Sequence, residues 1–161
     1  HAFLIDSFKN VVRSLPETYL ILCGYGTEEQ VNQVKDLVNK SPASSHIFLF
    51  GFRHDIPVLI SGVDLVLVPS QSYESFGLIC VEAFQFKKPV VATNVGGLPE
   101  VVGNGGIVVD HSDRDGFAKA IIKLLSDKNL RTKMGNEGFR RYQNYFTADR
   151  MAREYKSLLQ S

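Results

Sequence analysis

The chain has 161 residues, 44% of them hydrophobic and 22% charged, with a formal net charge of +1. This length suits one domain with a sizeable core, and the balanced charge lacks the broad electrostatic field that nucleic-acid or membrane-surface binding would use. No apolar run approaches the roughly 20 residues that a bilayer crossing needs.

The first half of the chain alternates between helical and strand patterns. Its predicted elements are, in order, a helix over 2–14, a strand over 19–23, a helix over 28–40, a strand over 47–50 and a short helix through 58–60. Pro16 and Pro42 end the first two helices. Thr27 is a good N-cap because its hydroxyl can accept a hydrogen bond from an unpaired amide, and Asp55 is expected to cap the short helix.

The second half begins with the stretch 62–102, around which the other elements are arranged. It reads as a strand over 65–68, a polar loop over 70–75, a helix opening at 76–78, a strand over 90–92 and a loop containing Gly96 and Gly97. The remaining predicted elements are a strand over 107–109 and helices over 112–125, over 129–144 and after Thr147. Ser112 is expected to start the first of these helices.

The five predicted strands are continuous apolar runs rather than in–out alternations, and helices separate them. This pattern indicates a parallel sheet that is buried on both faces. The expected fold class is therefore α/β, a doubly wound parallel sheet with a C-terminal α-helical tail. The whole chain, 1–161, is interpreted as a single domain.

Unusual residues follow each of the first four predicted strands. They are Gly24-Tyr25-Gly26, Gly51-Phe52-Arg53, the loop that holds Glu74, and Asn94-Val95-Gly96-Gly97. The carboxyl ends of parallel strands meet at one edge of the sheet, so these residues should line one crevice. Glycine lets backbone amides approach a ligand closely, and helix amino termini favour phosphate.

Taken singly, most of these signals are weak. Gly24-x-Gly26 lacks the third glycine of the dinucleotide fingerprint, and a plain strand-to-helix turn uses the same residues. The Gly96-Gly97 pair is likewise more often a turn than a ligand contact. Arg53 fits a solvated loop charge as well as a ligand contact.

The pair formed by Glu74 and Glu82 is a stronger signal. Glu74 precedes Ser75-Phe76-Gly77, which places its carboxylate beside a turn. Glu82 follows an apolar helix start, where a carboxylate is costly unless it has a partner. We therefore expect both carboxylates to face a ligand.

Both cysteines fall within predicted elements, Cys23 in a strand and Cys80 in a helix. Neither has a second Cys or a His at metal-ligand spacing, which argues against zinc. They are interpreted as small core residues of a reduced compartment.

Four motifs in chain order resemble one family. They are Gly51-Phe52-Arg53-x-Asp55-Ile56-Pro57, Val68-Pro69-Ser70, Glu74-Ser75-Phe76-Gly77-Leu78-x-x-x-Glu82-Ala83 and Pro89-Val90-Val91-Ala92-Thr93-x-x-Gly96-Gly97-x-Pro99-Glu100. The chain resembles the C-terminal domain of retaining GT-B glycosyltransferases, the family 4 or "group 1" set, from residue 2 to about 159. The resemblance implies a Rossmann-like domain that binds a nucleotide-diphosphate sugar for polysaccharide biosynthesis.

The resemblance also implies site roles. Glu74 would be catalytic, facing the donor sugar near the reacting centre, and Glu82 would hold the ribose hydroxyls. The remaining implied donor-binding residues are Gly24 and Gly26 near the diphosphate, Phe52 and Arg53 at the base, and Ser75, Phe76, Gly77 and Leu78 at the helix start. No metal and no cofactor are expected, since the nucleotide sugar is a co-substrate and its leaving diphosphate is stabilised electrostatically.

One departure from the family pattern affects activity. An Arg and a Lys that hold the diphosphate in the family precede the position where this chain begins, and the first strand and an N-terminal acceptor domain are also missing. The chain alone is therefore expected to bind nucleotide weakly, to transfer nothing, and to self-associate through uncovered apolar edges.

The resemblance sets the other partners and the location. No nucleic acid is expected, and any peripheral membrane contact would be made through the missing domain. The expected location is the cytoplasm or the inner face of the membrane. Two alternatives stay open: a sugar-nucleotide epimerase or phosphorylase of the same two-domain build, and a non-catalytic nucleotide-binding module.

Overall fold

The computed structural model describes residues 1–160, which contain eight α-helices and five β-strands. In chain order these are α1 Ala2–Ser14, β1 Leu20–Cys23, α2 Glu28–Asn39, β2 Ile47–Phe50, α3 Ile56–Gly62, β3 Val66–Val68, α4 Leu78–Gln85, β4 Val90–Thr93, α5 Leu98–Val102, β5 Gly106–Val109, α6 Arg114–Ser126, α7 Lys128–Tyr145 and α8 Ala148–Leu159. Two short 3₁₀ turns cover Ser44–His46 and Gly103–Gly105. The five predicted strands are all present.

All strand pairs are parallel, as the apolar runs predict, but the strands form two sheets. β1 pairs with β2, and β4 lies between β3 and β5. Only β4 is buried along its whole length. The other four strands are partly exposed, and each of them has at least one edge without a neighbouring strand, so the predicted burial on both faces is complete only for β4.

Two hydrophobic clusters lie on opposite faces of the strands. The first joins apolar residues of α1, α2 and α6, and it receives Val91 from β4. The second joins α3, α4 and α5, and it receives Val90 and Ala92 from the same strand. Successive side chains of a strand point to opposite faces, so helices cover both sides. This is the predicted doubly wound α/β arrangement.

The helix starts follow local hydrogen bonding. Thr27 caps α2 as predicted, with its side chain and that of Gln30 forming a reciprocal capping box. Asp55 does not cap α3, because its carboxylate is bound to Arg53. Ser112 does not start α6 either: its amide and hydroxyl both bind the Asp110 carboxylate, and the side chain of Asp113 caps the helix.

The sequence pattern missed α5. It has only five residues, starts directly after Gly97 and has a proline, Pro99, as its second residue. A helix this short shows no periodicity, so the loop expected around Gly96 and Gly97 is instead a turn into a helix.

Helix α7 lies very close to the rest of the domain because two glycines face inward. A Cβ atom at Gly135 would lie 2.0 Å from the carbonyl oxygen of Lys87, and one at Gly138 would lie 2.3 Å from the ring of Phe84. These glycines are the buried residues of α7. The contact fixes the helix against the end of α4.

Among residues 1–160, no helix has both the length and the apolar content that a bilayer crossing requires. Several large apolar side chains of the two-stranded sheet are exposed, namely Ile21, Phe48, Leu49 and Phe50. The expected self-association of the chain stays a prediction.

Candidate functional site

The loop between β3 and α4 is folded around the side chain of Glu74. The carboxylate accepts a hydrogen bond from the Gly77 amide at 3.0 Å, and the Ser70 hydroxyl lies 3.5 Å from its other oxygen. Gly77 has φ 87°, a left-handed conformation that favours glycine. Glu74 therefore lies beside the turn, as predicted, and its negative charge sits at the positive amino end of α4.

The turn after β4 packs directly against this loop. Gly96 has φ 54°, and a Cβ atom there would lie only 1.8 Å from the backbone oxygen of Glu74. The Gly97 amide donates to that same oxygen at 3.0 Å. The two glycines thus allow the backbone after β4 to approach the backbone of the Glu74 loop closely. The sequence pattern alone did not distinguish this role from an ordinary turn.

Thr93 is a second supporting residue, and the sequence reasoning gave it no role. It is fully buried at the end of β4, with its hydroxyl oxygen 2.5 Å from the Ser70 carbonyl and 3.3 Å from that of Val68. It ties the end of β3 to β4 just before the Glu74 loop. Its position at the end of an apolar strand could have indicated this role, since a buried hydroxyl needs a hydrogen-bond partner.

Glu82 is exposed, contrary to the expectation of a partnered carboxylate. Within residues 1–160 its side chain has no hydrogen-bond or salt-bridge partner. The apolar neighbours that suggested burial, Cys80 and Val81, point to the core on the other side of α4. Glu82 instead shares an exposed stripe with Leu78, four residues earlier and hence one turn closer to the Glu74 loop.

The ring of Phe76 is not free for a ligand on every side. It meets Phe146 edge-to-face, with ring centroids 5.7 Å apart, which connects the Glu74 loop to the end of α7. The amides of Phe76 and Leu78 flank the amide that Glu74 already occupies. Ser75 is exposed at the same turn.

At the ends of β1 and β2, aromatic rings gather around the predicted base-binding residues. Tyr25, which lies between Gly24 and Gly26, is 83% exposed and contacts Phe52 edge-to-face at 5.5 Å. Phe52 is itself 61% exposed and also contacts His54. The sequence pattern alone did not predict a role for Tyr25, although this residue lies between two glycines at the end of a strand.

Arg53 forms a two-pronged salt bridge with Asp55, with N–O distances of 2.7 and 2.5 Å. This bond raises the pKa of Arg53 and lowers the pKa of Asp55. Arg53 also lies over the ring of Phe50, 5.7 Å from its centroid. The pair fixes the loop after β2 rather than leaving Arg53 as a free surface charge.

The two cysteines differ in their surroundings. Cys80 is buried, as expected, and burial together with the nearby negative charge of Glu74 raises its pKa to about 12. Cys23 is exposed, so its interpretation as a core residue is wrong. It ends β1, an edge strand that no other strand covers on its second side.

We expect a thiol reagent at pH 8 to modify one cysteine per folded chain. At pH 8, which is far below the pKa of Cys80, this buried thiol stays neutral, whereas Cys23 is accessible. Mass spectrometry after brief treatment with iodoacetamide should locate the label on Cys23 alone, and a Cys23→Ser variant should take up label only after unfolding. Rapid labelling of folded Cys23→Ser would contradict this assignment.

Within residues 1–160, no three His, Cys, Asp or Glu side chains come close enough together to hold a metal ion.

A cavity of about 1630 Å³ runs from the gap between the sheets to their carboxyl edge. It brings together Gly24, Gly26 and Ser70, as the shared-crevice expectation requires. Glu74, Glu82, Phe52 and Arg53 do not line it, so the predicted common pocket of the two glutamates stays a prediction.

The model of the family described as "Glycosyl transferases group 1" matches residues 1–141. Among curated proteins, the chain is 28% identical over 157 residues to N-acetyl-alpha-D-glucosaminyl L-malate synthase of Bacillus anthracis, covering 96% of this chain and 40% of that protein. It is 31% identical over 152 residues to the lipopolysaccharide core biosynthesis glycosyltransferase LpsE of Rhizobium meliloti (strain 1021), covering 93% and 44%.

The solved structures include Anabaena HepE in complex with UDP, with a TM-score of 0.89 and 26% identity over 98% of this chain and 44% of that chain. A second HepE structure contains UDP-glucose and has a TM-score of 0.88. This chain thus spans about two-fifths of the length of these relatives.

Proposed function

Because the chain belongs to the glycosyl transferases group 1 family, we propose that it is the donor-binding domain of a retaining hexosyltransferase with the GT-B build. The donor would be a uridine-diphosphate sugar, since HepE, which is 26% identical to this chain, was solved with UDP and with UDP-glucose. The acceptor would be held by a second domain outside these residues. Neither a metal nor a cofactor has a role in the proposed reaction.

The observation that carries this proposal is the Glu74 loop. A carboxylate sits at the amino end of α4, held by the Gly77 amide, and the Gly96 turn presses against the backbone of the same residue. The loop follows the carboxyl end of β3, where ligands of doubly wound sheets bind. Such a site can present both amides to phosphate and a carboxylate to sugar hydroxyls.

Glu74 would act on the sugar. When a diphosphate accepts the hydrogen bond of the Gly77 amide, the Glu74 carboxylate loses its present partner. It then becomes available to a hydroxyl group of the donor sugar near the reacting carbon. The amides of Phe76, Gly77 and Leu78 would then stabilise the negative charge that develops on the leaving diphosphate. Ser75 would add a contact to the sugar.

Glu82 would bind the ribose. Its exposed carboxylate lies on the same stripe of α4 as Leu78, about 6 Å further along the helix axis. An unpartnered carboxylate can accept from two neighbouring hydroxyls without first breaking an internal bond. Gly24 and Gly26 would leave room for the diphosphate, and Phe52 and Arg53 would flank the base.

Calorimetry on the full-length protein tests this assignment with UDP and 2′,3′-dideoxy-UDP. We expect Glu82→Gln to weaken UDP binding by about tenfold or more, because hydrogen bonds to a charged group are lost. It should leave dideoxy-UDP binding nearly unchanged, since that ligand lacks both hydroxyls. Glu100→Gln, another exposed glutamate of the same domain, serves as the matched control.

Equal loss for both ligands would show that Glu82 does not read the ribose. No UDP binding by the full-length protein, with the control variant folded, would count against the proposed function itself.

A further inference from the structure

The end of α7 is connected to the Glu74 loop through two aromatic rings. Phe76, which precedes Gly77, meets Phe146 edge-to-face, with ring centroids 5.7 Å apart and an angle of 84° between the ring planes. Phe146 directly follows α7 and packs against the hydrophobic cluster that joins α3, α4 and α5. The loop that would bind the donor is therefore in contact with the C-terminal part of the chain.

Arg141, near the end of α7, joins the same ring to α5. Its guanidinium carbon lies 5.5 Å from the ring centroid of Tyr145 and 6.0 Å from that of Phe146. The guanidinium also donates to the carbonyl oxygens of Glu100 and Val101, at 2.6 and 3.2 Å. Carbonyls in the last turn of a helix lack helical partners and carry partial negative charge, which suits a cation.

Two further contacts fix the end of α7. Gly103 has φ 45°, and a Cβ atom there would lie 2.5 Å from the guanidinium carbon of Arg141, so glycine makes room for this side chain. Arg150 of α8 lies over the ring of Tyr145, 5.1 Å from its centroid, and donates to the carbonyl oxygen of Asn144 at 2.8 Å. Contacts from α5 and from α8 therefore hold the junction between α7 and α8.

The amino end of α5 reaches the Glu74 loop by a separate contact. Leu98, the first residue of α5, is fully buried, and a Cβ atom at Gly77 would lie only 2.5 Å from its side chain. This contact adds to the backbone hydrogen bond that the turn before α5 makes with the loop. The loop thus rests on α5 and on the ring of Phe146, the two supports that Arg141 joins.

We propose that Phe146 is a positioning residue for donor binding, and that Arg141 keeps its ring in place. By holding Phe76, Phe146 keeps the amides of Gly77 and Leu78 directed at the donor diphosphate. Phe146 acts only through the ring of Phe76. This inference rests on the proposed function, because the diphosphate is the ligand that these amides would meet.

The ring pair sets the size of the expected effect. An edge-to-face pair of aromatic rings changes an equilibrium by about fivefold. Opening of the loop should feel this change in full, and hydrogen exchange of a loop amide reports such opening. Ligand affinity falls only with the fraction of molecules whose loop has the competent conformation, so its loss should be smaller.

A double-mutant cycle in the full-length protein tests the proposal. Its four forms are the parent protein, Phe76→Leu, Phe146→Leu and the double variant. Leucine keeps both positions apolar and removes the ring contact, and every backbone amide stays in place. Two quantities are measured: exchange of the Gly77 amide by NMR without ligand, and UDP affinity by calorimetry.

We expect each single substitution to speed exchange of the Gly77 amide by about fivefold and to weaken UDP binding by about twofold to fourfold. The double variant should match the single ones, because either substitution alone already removes the ring contact between Phe76 and Phe146. Uridine lacks the diphosphate, and its affinity in an NMR titration should be equal in all four forms.

Phe139→Leu is the matched control for loss of a ring in α7. Phe139 is also half-buried, but its ring meets Tyr142 at 6.2 Å and lies 5.1 Å from the ammonium group of Lys87. Its substitution should change neither quantity. Arg141→Lys keeps the charge but loses the planar fork that spans two carbonyls, so it should speed exchange of the Gly77 amide in the parent and not in Phe146→Leu.

Normal exchange and normal UDP affinity in Phe146→Leu would overturn the proposal, as would effects that add fully in the double variant. Equal losses of UDP and uridine binding would also overturn it, because Phe146 would then support the domain as a whole. Should Phe146→Leu fail to fold, Phe146→Met, with its flexible side chain, takes its place in the cycle. If the parent protein binds no UDP, the proposed function fails, and exchange of the Gly77 amide alone decides whether Phe146 positions the loop.

Discussion

The Gly96→Ala variant is expected to unfold about 3 kcal/mol more easily than the parent protein and to lose UDP binding. The new methyl group would meet the Glu74 carbonyl oxygen at 1.8 Å, and alanine would have to hold φ 54°. Because two backbones meet at this point, no side-chain rotation can relieve the contact. The Glu74 loop must move away from β4.

Urea unfolding and calorimetry with UDP measure the two effects. Gly62→Ala is the matched control, since a Cβ atom there meets nothing within 4 Å. Gly97→Ala covers the case in which Gly96→Ala does not fold, because its new methyl group meets the Ser75 carbonyl at a less severe 2.7 Å. Normal stability and normal UDP affinity in Gly96→Ala would show that this turn does not support the site.

In the transferase proposed above, replacing Glu74 by glutamine is expected to reduce turnover of UDP-glucose by about 10²–10³-fold. Glutamine keeps the shape, and its amide oxygen can still accept from Gly77 at the 3.0 Å distance seen for the carboxylate. The negative charge that would act on the sugar is lost, while the loop keeps its conformation. Stability and UDP affinity should therefore change little.

Release of UDP and formation of the glucosylated product, followed by chromatography with and without acceptor extract, give the rate of transfer. Glu100→Gln again controls for the removal of one negative charge, and anomeric NMR of the product reports retention or inversion. Activity above about one tenth of the parent value in Glu74→Gln would assign Glu74 a purely structural capping role.

The sequence predicted the layout of the fold well, because each strand is a continuous apolar run and the helices other than the five-residue α5 are long enough to show a helical pattern. The Ile47–Phe50 strand and the Ala2–Ser14 helix agree with the structure at both ends. The division into two sheets was not predictable from pattern. An edge strand and an interior strand have the same composition here, and only the neighbours decide which one is buried.

The position of Glu74 was predictable from the sequence, whereas the contacts around it were not. The motif around Glu74 placed the carboxylate beside a turn, and the structure places it there. The partner of Asp55, the role of Thr93 and the exposure of Glu82 depend on how separate elements meet. A single sequence does not contain such distances, since local preference says nothing about which loop an atom will face.

The glycines on the inner side of α7 also bear on how this domain can be redesigned. Gly135 and Gly138 face a carbonyl group and an aromatic ring with no room for any larger residue, whereas the opposite side of the helix meets solvent. Selection for folded protein from a combinatorial library over α7 should therefore keep glycine at these two positions, whereas the outward positions should accept many residues. Attachment tags or solubilising charges are best introduced there.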